Sequence, residues 1–157
     1  MTLMRARSAA ADGARLEQLA ERLTQKTARI GVIGLGYVGL PLAVEFGAAG
    51  FSVRGFDVAA SRVTQVNQGR SYIPDVSSEQ LSLLVREKRL TATRSYEELS
   101  ACDAIIICVP TPLRKTREPD ISFILGAAQA IAKALRPGHL IVLESTTYPG
   151  TTEEVIL

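Results

Sequence analysis

The sequence has the length of one folded domain and the composition of a globular protein. Its 157 residues are 46% hydrophobic and 22% charged, with a formal net charge of +2, and a chain of this size can bury one sizeable core. Because positive and negative residues are interspersed, no basic face is predicted, which argues against nucleic acid and acidic membrane surfaces as partners. A small molecule is the expected partner.

The sequence carries no pattern of a secreted, metal-binding or membrane-spanning protein. Cys102 and Cys108 are its only cysteines, too few for a disulfide framework, and no cysteine and histidine cluster predicts a metal site. The N-terminal segment lacks the apolar core of a signal peptide, and no apolar run reaches the 18 residues of a membrane span. We therefore expect a cytoplasmic protein.

The predicted elements alternate between helices and strands along the chain. Apolar spacing and turn residues predict helices over 15–26, 37–49, 59–67, 77–88 and 121–135, and strands over 28–33, 51–58, 90–93, 104–109 and 140–143. The runs 104–109 and 140–143 are uninterrupted apolar stretches, typical of strands buried on both faces. The pattern predicts an α/β fold, a doubly wound parallel sheet with helices on both faces over 28–157, preceded by a tail and an amphipathic helix over 1–27.

Three glycines follow the first predicted strand, in the stretch "IGVIGLGYVGLPLA" (30–43). In a strand-turn-helix unit, this spacing assigns a tight turn to Gly34, close ligand approach to Gly36 and close helix packing to Gly39. The helix N-terminus behind them suits a pyrophosphate. The same three glycines can also close an ordinary loop, so their position between a strand and a helix is what favours a dinucleotide site.

An acidic residue ends the second predicted strand, where it is expected to hold an adenosine ribose. Asp57 lies 23 positions after Gly34, close to the roughly 20 typical of a dinucleotide site. A carboxylate accepts hydrogen bonds from ribose hydroxyls and repels a 2′-phosphate, which favours NAD over NADP. Arg54 and Arg62 leave the alternative open, because either could pair with a phosphate.

Two further stretches follow strands at the sheet edge where parallel α/β proteins bind ligands. They are "CVPTP" (108–112) and "ESTTYPG" (144–150), which place the hydroxyls of Thr111, Ser145, Thr146 and Thr147 after the fourth and fifth strands. Ordinary turn chemistry is the alternative explanation for both.

Taken together, several segments carry a more specific signal than the glycines alone. The stretches "IGVIGLGYVGLPLAVEFG", "GFDV", "DAIIICVPTPL", "REPD" and "ESTTYPGTTEE" occur in this order. Over roughly residues 14–157 the chain resembles the Rossmann-type NAD-binding domain of the UDP-glucose/GDP-mannose dehydrogenase family, in particular its UDP-N-acetylhexosamine 6-dehydrogenases. The resemblance implies oxidation of the C6 alcohol of a UDP-sugar to a carboxylate with two NAD, by a homo-oligomer.

The resemblance also implies residue roles. By position, the pyrophosphate would meet Gly34, Gly36, Tyr37, Val38 and Gly39, the adenosine ribose would meet Asp57 and Arg62, and the cofactor cleft would be lined by Pro110, Thr111 and Pro112. Thr146 resembles the hydroxyl residue at the active site, between the nicotinamide and water. "RKTRE" (114–118) resembles a loop at the cleft edge, and "GRSYIPD" (69–75) is similar to the family without an assigned role.

The family's catalytic cysteine, lysine and glutamate lie beyond the matched region, as do its last sheet strand and its sugar-binding domain. We therefore expect the chain alone to be inactive, with the substrate bound by a domain that this sequence lacks. Cys102 and Cys108 are expected to be buried, inert thiols. The cofactor domain of a β-hydroxyacid-type dehydrogenase and a stand-alone NAD-binding module are the alternatives, and the first predicts neither "VPTP" nor "STTYPG".

Overall fold

The structure, a computed structural model, describes residues 2–112 and 120–145, with side chains from residue 12 onward. Eleven elements occupy these ranges. They are α1 Thr2–Thr24, β1 Arg29–Ile33, α2 Gly39–Ala48, β2 Ser52–Phe56, α3 Ala60–Asn67, α4 Ser78–Arg86, β3 Leu90–Thr93, a 3₁₀ helix Tyr96–Ala101, β4 Ala104–Ile107, α5 Ser122–Ala134 and β5 Leu140–Leu143.

The five strands form one parallel sheet in the order β3-β2-β1-β4-β5. Two halves therefore run outward from the centre, one through β2 and β3 and the other through β4 and β5, which is the predicted doubly wound α/β fold. The chain order reverses between β1 and β4. In such sheets the crevice at the carboxyl ends of these two strands is where ligands bind.

Side chains of the central strands alternate between two cores, one on each face of the sheet. Ile30 and Val32 pack on the face covered by α2 and α4, together with Leu40, Val44 and Leu81. Ile33 points to the other face, where it meets Phe56, Ile105, Ile107 and Ile131 under α5 and the 3₁₀ helix. Burial on both faces explains why β1 and β4 are continuous apolar runs in the sequence.

The predicted element order is confirmed, with differences at particular places. Helix α1 begins at Thr2 rather than near 15, because Ala9, Ala10 and Ala11 favour a helix without adding an apolar period. The 3₁₀ helix was not predicted, since Leu99 is its only buried residue. Ser77 caps α4 as expected, accepting a hydrogen bond from the Gln80 N–H at 3.1 Å.

Strand β5 corrects one expectation. Its residues are half-buried or exposed, and Leu140 keeps 40% of its surface accessible. Among the described strands β5 has β4 as its single neighbour, so an apolar run alone did not reveal its edge position. In the described ranges, no helix is long and apolar enough to cross a membrane.

Candidate functional site

A cleft of about 1370 Å³ lies at the carboxyl ends of the strands, where the sheet order reverses. One wall is the turn between β1 and α2 together with the residues that follow β2. The opposite wall is the segment after β4, one side of α5 along its length and the 3₁₀ helix. The cleft is thus built from the two halves of the sheet, at the edge predicted from the sequence.

The three glycines of the turn are required for different reasons. Gly34 has a positive φ of 90°, and a Cβ there would lie 2.6 Å from the Cys108 carbonyl oxygen. A Cβ on Gly39 would overlap the Gly34 carbonyl oxygen, whereas a Cβ on Gly36 would meet no protein atom within 4 Å. The protein's own backbone therefore excludes side chains at Gly34 and Gly39, while the space beside Gly36 is open and belongs to the cleft.

The turn presents backbone donors to this open space. Among the described residues, the N–H groups of Gly36, Tyr37 and Val38 have no hydrogen-bond acceptor. Helix α2 begins at Gly39, and its N-cap, Val38, supplies no side-chain cap. Unpaired N–H groups and the positive end of the helix dipole together make an anion site.

Asp57 follows β2 and lies beside this turn with 3% of its surface exposed. Its Oδ2 accepts from the Leu35 N–H at 2.8 Å and pairs with Arg62 at 3.2 Å, and its Oδ1 accepts from the Ala59 N–H at 2.9 Å. A carboxylate has about four lone-pair sites, so one acceptor position is left on a group that lines the cleft.

Tyr72 contacts the glycine turn of the site, a contact that sequence reasoning did not predict. It lies in "GRSYIPD", between α3 and α4, and its hydroxyl donates to the Leu35 carbonyl oxygen at 2.7 Å. Burial and, to a smaller extent, the Asp57 carboxylate raise the pKa of Tyr72 to about 12, against an opposing effect of Arg62. The hydroxyl therefore stays a protonated donor over the physiological pH range.

The segment after β4 contributes the far wall. Pro110 and Thr111 line the cleft as expected from the sequence, whereas Pro112 is not among the described lining residues and its carbonyl accepts from the Asp120 N–H at 2.8 Å. The Ser145 hydroxyl donates to the Val109 carbonyl at 2.8 Å, which ties the ends of β4 and β5 together. Thr146, Thr147 and residues 114–118 lie outside the described residues.

Small residues of α5 leave room beside the 3₁₀ helix. Gly126 and Ala130, one helical turn apart, line the cleft together with Tyr96, and a Cβ on Gly126 would meet no atom within 4 Å. A flat, partly apolar group fits such a wall. The only sequence signal for this wall of the cleft is the helical spacing of these small residues.

The two thiols are buried, as expected. Burial raises the pKa of both Cys102 and Cys108 to about 11, and Glu144 adds to the shift at Cys108. Both sulfurs therefore remain protonated near neutral pH, which disfavours nucleophilic attack by either.

A family model, described as the UDP-glucose/GDP-mannose dehydrogenase family, NAD binding domain, matches residues 28–157. The chain belongs to the UDP-glucose/GDP-mannose dehydrogenase family. Because the matched part is this family's NAD-binding domain, NAD is the cofactor. The matched range begins one residue before β1 and contains every strand of the sheet.

Individual relatives agree with this family. The chain is 39% identical over 129 residues to a UDP-N-acetyl-D-glucosamine 6-dehydrogenase of Pseudomonas aeruginosa, covering 82% of this chain and 30% of the relative. It is 36% identical over 129 residues to a UDP-N-acetyl-D-mannosamine dehydrogenase of Pyrococcus horikoshii, covering 81% and 30%. The solved GDP-mannose dehydrogenase of Pseudomonas aeruginosa superposes with a TM-score of 0.78 at 33% identity, covering 82% and 30%.

The chain thus spans about 30% of the length of the relatives that it matches. These matches confirm the family resemblance, the fold and NAD as cofactor, and they do not favour a β-hydroxyacid-type dehydrogenase. Most predicted site residues of this UDP-glucose/GDP-mannose dehydrogenase family member meet at one cleft. They are Gly34, Gly36, Tyr37, Val38, Asp57, Arg62, Pro110 and Thr111.

Proposed function

We propose that this chain is the NAD-binding part of a UDP-sugar 6-dehydrogenase, which oxidises the C6 alcohol of its substrate to a carboxylate with two NAD. The observation that carries the proposal is the open space at Gly36, flanked by unpaired N–H groups, in a chain whose relatives oxidise nucleotide sugars. Bound NAD would accept the hydride that leaves C6. The residues of this chain bind and orient that cofactor.

The proposed residue roles follow the two walls of the cleft. The N–H groups of Gly36, Tyr37 and Val38 donate to the pyrophosphate, and Asp57 accepts from a ribose hydroxyl. Pro110 and Thr111 line the path toward the nicotinamide, with Pro112 next to them in the chain. Thr146 remains a prediction as the hydroxyl residue of the active site.

The pairing of two arginines supports a preference for NAD over NADP. Arg62 is held by Asp57 at 3.2 Å, and Arg54 is held by Glu98 at 3.0 Å. Each guanidinium is thus already paired with a carboxylate and is less available to bind a 2′-phosphate. The Asp57 carboxylate itself repels such a phosphate.

The wider assignments are proposals of the same kind. Residues 28–157 form the NAD-binding domain, and residues 1–27 precede it. The UDP-sugar is bound by parts of the enzyme beyond the matched region. The enzyme is a cytoplasmic homo-oligomer. The 157-residue chain alone forms no NADH when it is mixed with NAD and UDP-glucose, UDP-N-acetylglucosamine or UDP-N-acetylmannosamine. Hydride transfer requires the sugar to be held about 3–3.5 Å from the nicotinamide, a task that we assign to the parts of the enzyme beyond the matched region.

Thermal unfolding tests the cofactor site. NAD at about 100 times its dissociation constant is expected to stabilise the chain by about 2.7 kcal/mol, which raises the melting temperature by several degrees. Gly36→Val places a side chain in the open space, so the variant should fold and lose this shift. Gly13→Val is the matched control, because a Cβ on Gly13 would likewise meet no atom within 4 Å, but Gly13 lies on α1, outside the cleft. An unchanged shift in Gly36→Val would contradict the proposed site.

A chimera tests the reaction. Residues 28–157 would replace the corresponding part of the UDP-N-acetyl-D-glucosamine 6-dehydrogenase of Pseudomonas aeruginosa. We expect NADH formation with UDP-N-acetylglucosamine, and none when the chimera carries Gly36→Val. A folded chimera that binds NAD but never reduces it would contradict the proposed activity.

A further inference from the structure

The loop between α3 and α4 reaches across to the glycine turn through one side chain. Tyr72 lies in this loop, 37 residues after Leu35, and its hydroxyl donates to the Leu35 carbonyl at 2.7 Å. Its ring packs against the core on the α2 face of the sheet. The contact joins a segment without an assigned role to the wall of the cofactor cleft.

Leu35 is held at each of its polar groups and at its side chain. Its N–H donates to Asp57 at 2.8 Å, its carbonyl accepts from Tyr72, and its side chain is fully buried. The next peptide bond is planar and trans, so the Leu35 carbonyl and the Gly36 N–H point in opposite directions. Fixing the carbonyl on the Tyr72 side therefore directs the Gly36 N–H away from Tyr72.

The Gly36 N–H is one of the donors without an acceptor in the described part of the chain, and Gly36 lines the cleft. We propose that Tyr72 is a positioning residue for the cofactor, whose hydroxyl holds the Leu35–Gly36 peptide so that the Gly36 N–H faces the pyrophosphate. This inference rests on the proposed pyrophosphate site. Tyr72 itself touches Leu35 and acts through that peptide.

The Tyr72 hydroxyl is suited to a permanent structural hydrogen bond. Its raised pKa, about 12 through burial and the nearby Asp57 carboxylate, keeps the proton on the oxygen. Because the phenol is a donor at every physiological pH, the orientation of the peptide does not depend on a titration. Asp57, by holding the Leu35 N–H, fixes the same residue from the other side.

Tyr72→Phe tests the inference, since it removes the hydroxyl and keeps the ring. Calorimetric titration would compare NAD and ADP, which carry the pyrophosphate, with adenosine, which lacks it. We expect NAD and ADP to bind about 5- to 10-fold more weakly, the effect of one neutral hydrogen bond, and adenosine to bind within about 2-fold of the wild type. A general loosening of the fold would instead weaken all three ligands, which would overturn the proposal.

Ser71→Ala is the matched control, because it removes a neighbouring hydroxyl that bonds Ile73 within the same loop and not Leu35. It should leave the affinities for NAD and ADP within about 2-fold of the wild type. The amide resonance of Gly36 gives a second measurement on the unligated protein, and Tyr72→Phe should move it more than Ser71→Ala does. If Tyr72→Phe changed neither the NAD affinity nor the Gly36 resonance, the role of Tyr72 would be overturned. If the wild type itself did not bind NAD, the proposed cofactor site would be overturned instead.

Discussion

Asp57 and Asp103 are the two buried charged side chains of the described residues, each 3% exposed, and they lie at opposite ends of the sheet. Asp57 follows the carboxyl end of β2, and Asp103 precedes the amino end of β4. Each accepts from a backbone N–H and pairs with arginine. The two carboxylates nevertheless have different surroundings, and that difference separates the proposed functional site from a structural one.

Asp103 joins segments that are far apart in the sequence through three partners. It accepts from the Arg29 N–H at 2.8 Å and pairs with Arg22 of α1 at 2.6 Å and with Arg136, after α5, at 3.1 Å. Arg136 also donates to the Cys102 carbonyl at 2.8 Å. This cluster connects α1, β1, β4 and the segment before β5.

The partners of Asp57 are mostly local, and its surroundings retain unused hydrogen-bonding capacity. Leu35 and Ala59 donate to it through their backbones, beside the unpaired N–H groups of Gly36 and Tyr37. Equal burial therefore does not distinguish the two carboxylates. What distinguishes them is whether polar groups around the carboxylate still face an open cleft.

The largest effect expected from this comparison is on stability at Asp103. Asp103→Ala removes the acceptor of the Arg29 N–H and of two guanidinium groups, and we expect the free energy of unfolding to fall by about 3 kcal/mol. Urea unfolding measures it. The NAD dissociation constant of the folded variant should stay within about 2-fold of the wild type, because Asp103 lies at the far end of the sheet.

The control for this change is Asp75→Ala, which removes an exposed carboxylate and should alter the unfolding free energy by less than about 0.5 kcal/mol. If Asp103→Ala instead weakened NAD binding as strongly as it weakened folding, the division between a structural and a functional end of the sheet would be wrong.

The next effect is on ligand choice at Asp57. Asp57→Ala removes the proposed ribose acceptor and its repulsion of a 2′-phosphate, so NAD should bind about 10- to 100-fold more weakly while NADP loses less. Titration calorimetry with both dinucleotides measures the ratio of the two affinities. Part of the cost also appears in folding, because the Leu35 and Ala59 N–H groups lose their acceptor. Equal losses for NAD and NADP would show that Asp57 acts only on the fold.

What the sequence could predict follows from how far each interaction reaches along the chain. The position of Gly34, Gly36 and Asp57 at the cleft could be predicted because it depends on backbone sterics and short spacing within one strand-helix-strand unit. The contacts of Tyr72 with Leu35 and of Arg22 with Asp103 span 37 and 81 residues, and no local pattern encodes such partners. The half-exposed β5 is similar, because burial depends on neighbouring elements rather than on the strand's own apolar run.

The smallest expected effect is the acid dependence of the Asp103 cluster. Burial alone would raise the pKa of Asp103, but hydrogen bonds from the Arg29 N–H and Arg136, with the charge of Arg22, hold it below its ordinary value. A carboxyl with a lowered pKa in the folded state contributes stability that is complete above its unfolded pKa, about 3.9. That contribution is lost as the pH falls from there through the folded pKa.

The measurement is the unfolding free energy of the wild type and of Asp103→Asn from about pH 6 down to about pH 3. The wild-type value should approach that of Asp103→Asn only in the acid part of this range. Arg136→Ala should make this loss smaller and complete at a higher pH, because it removes one of the groups that lower the pKa of Asp103 in the folded state and leaves the unfolded pKa unchanged. A difference between wild type and Asp103→Asn that stayed constant to the lowest pH, or an acid-dependent loss that Arg136→Ala left unchanged in size, would mean that ionisation of Asp103 is not what holds the far end of the sheet together. The carboxylate would then act through the neutral hydrogen bond from the Arg29 N–H, which an asparagine oxygen can also accept.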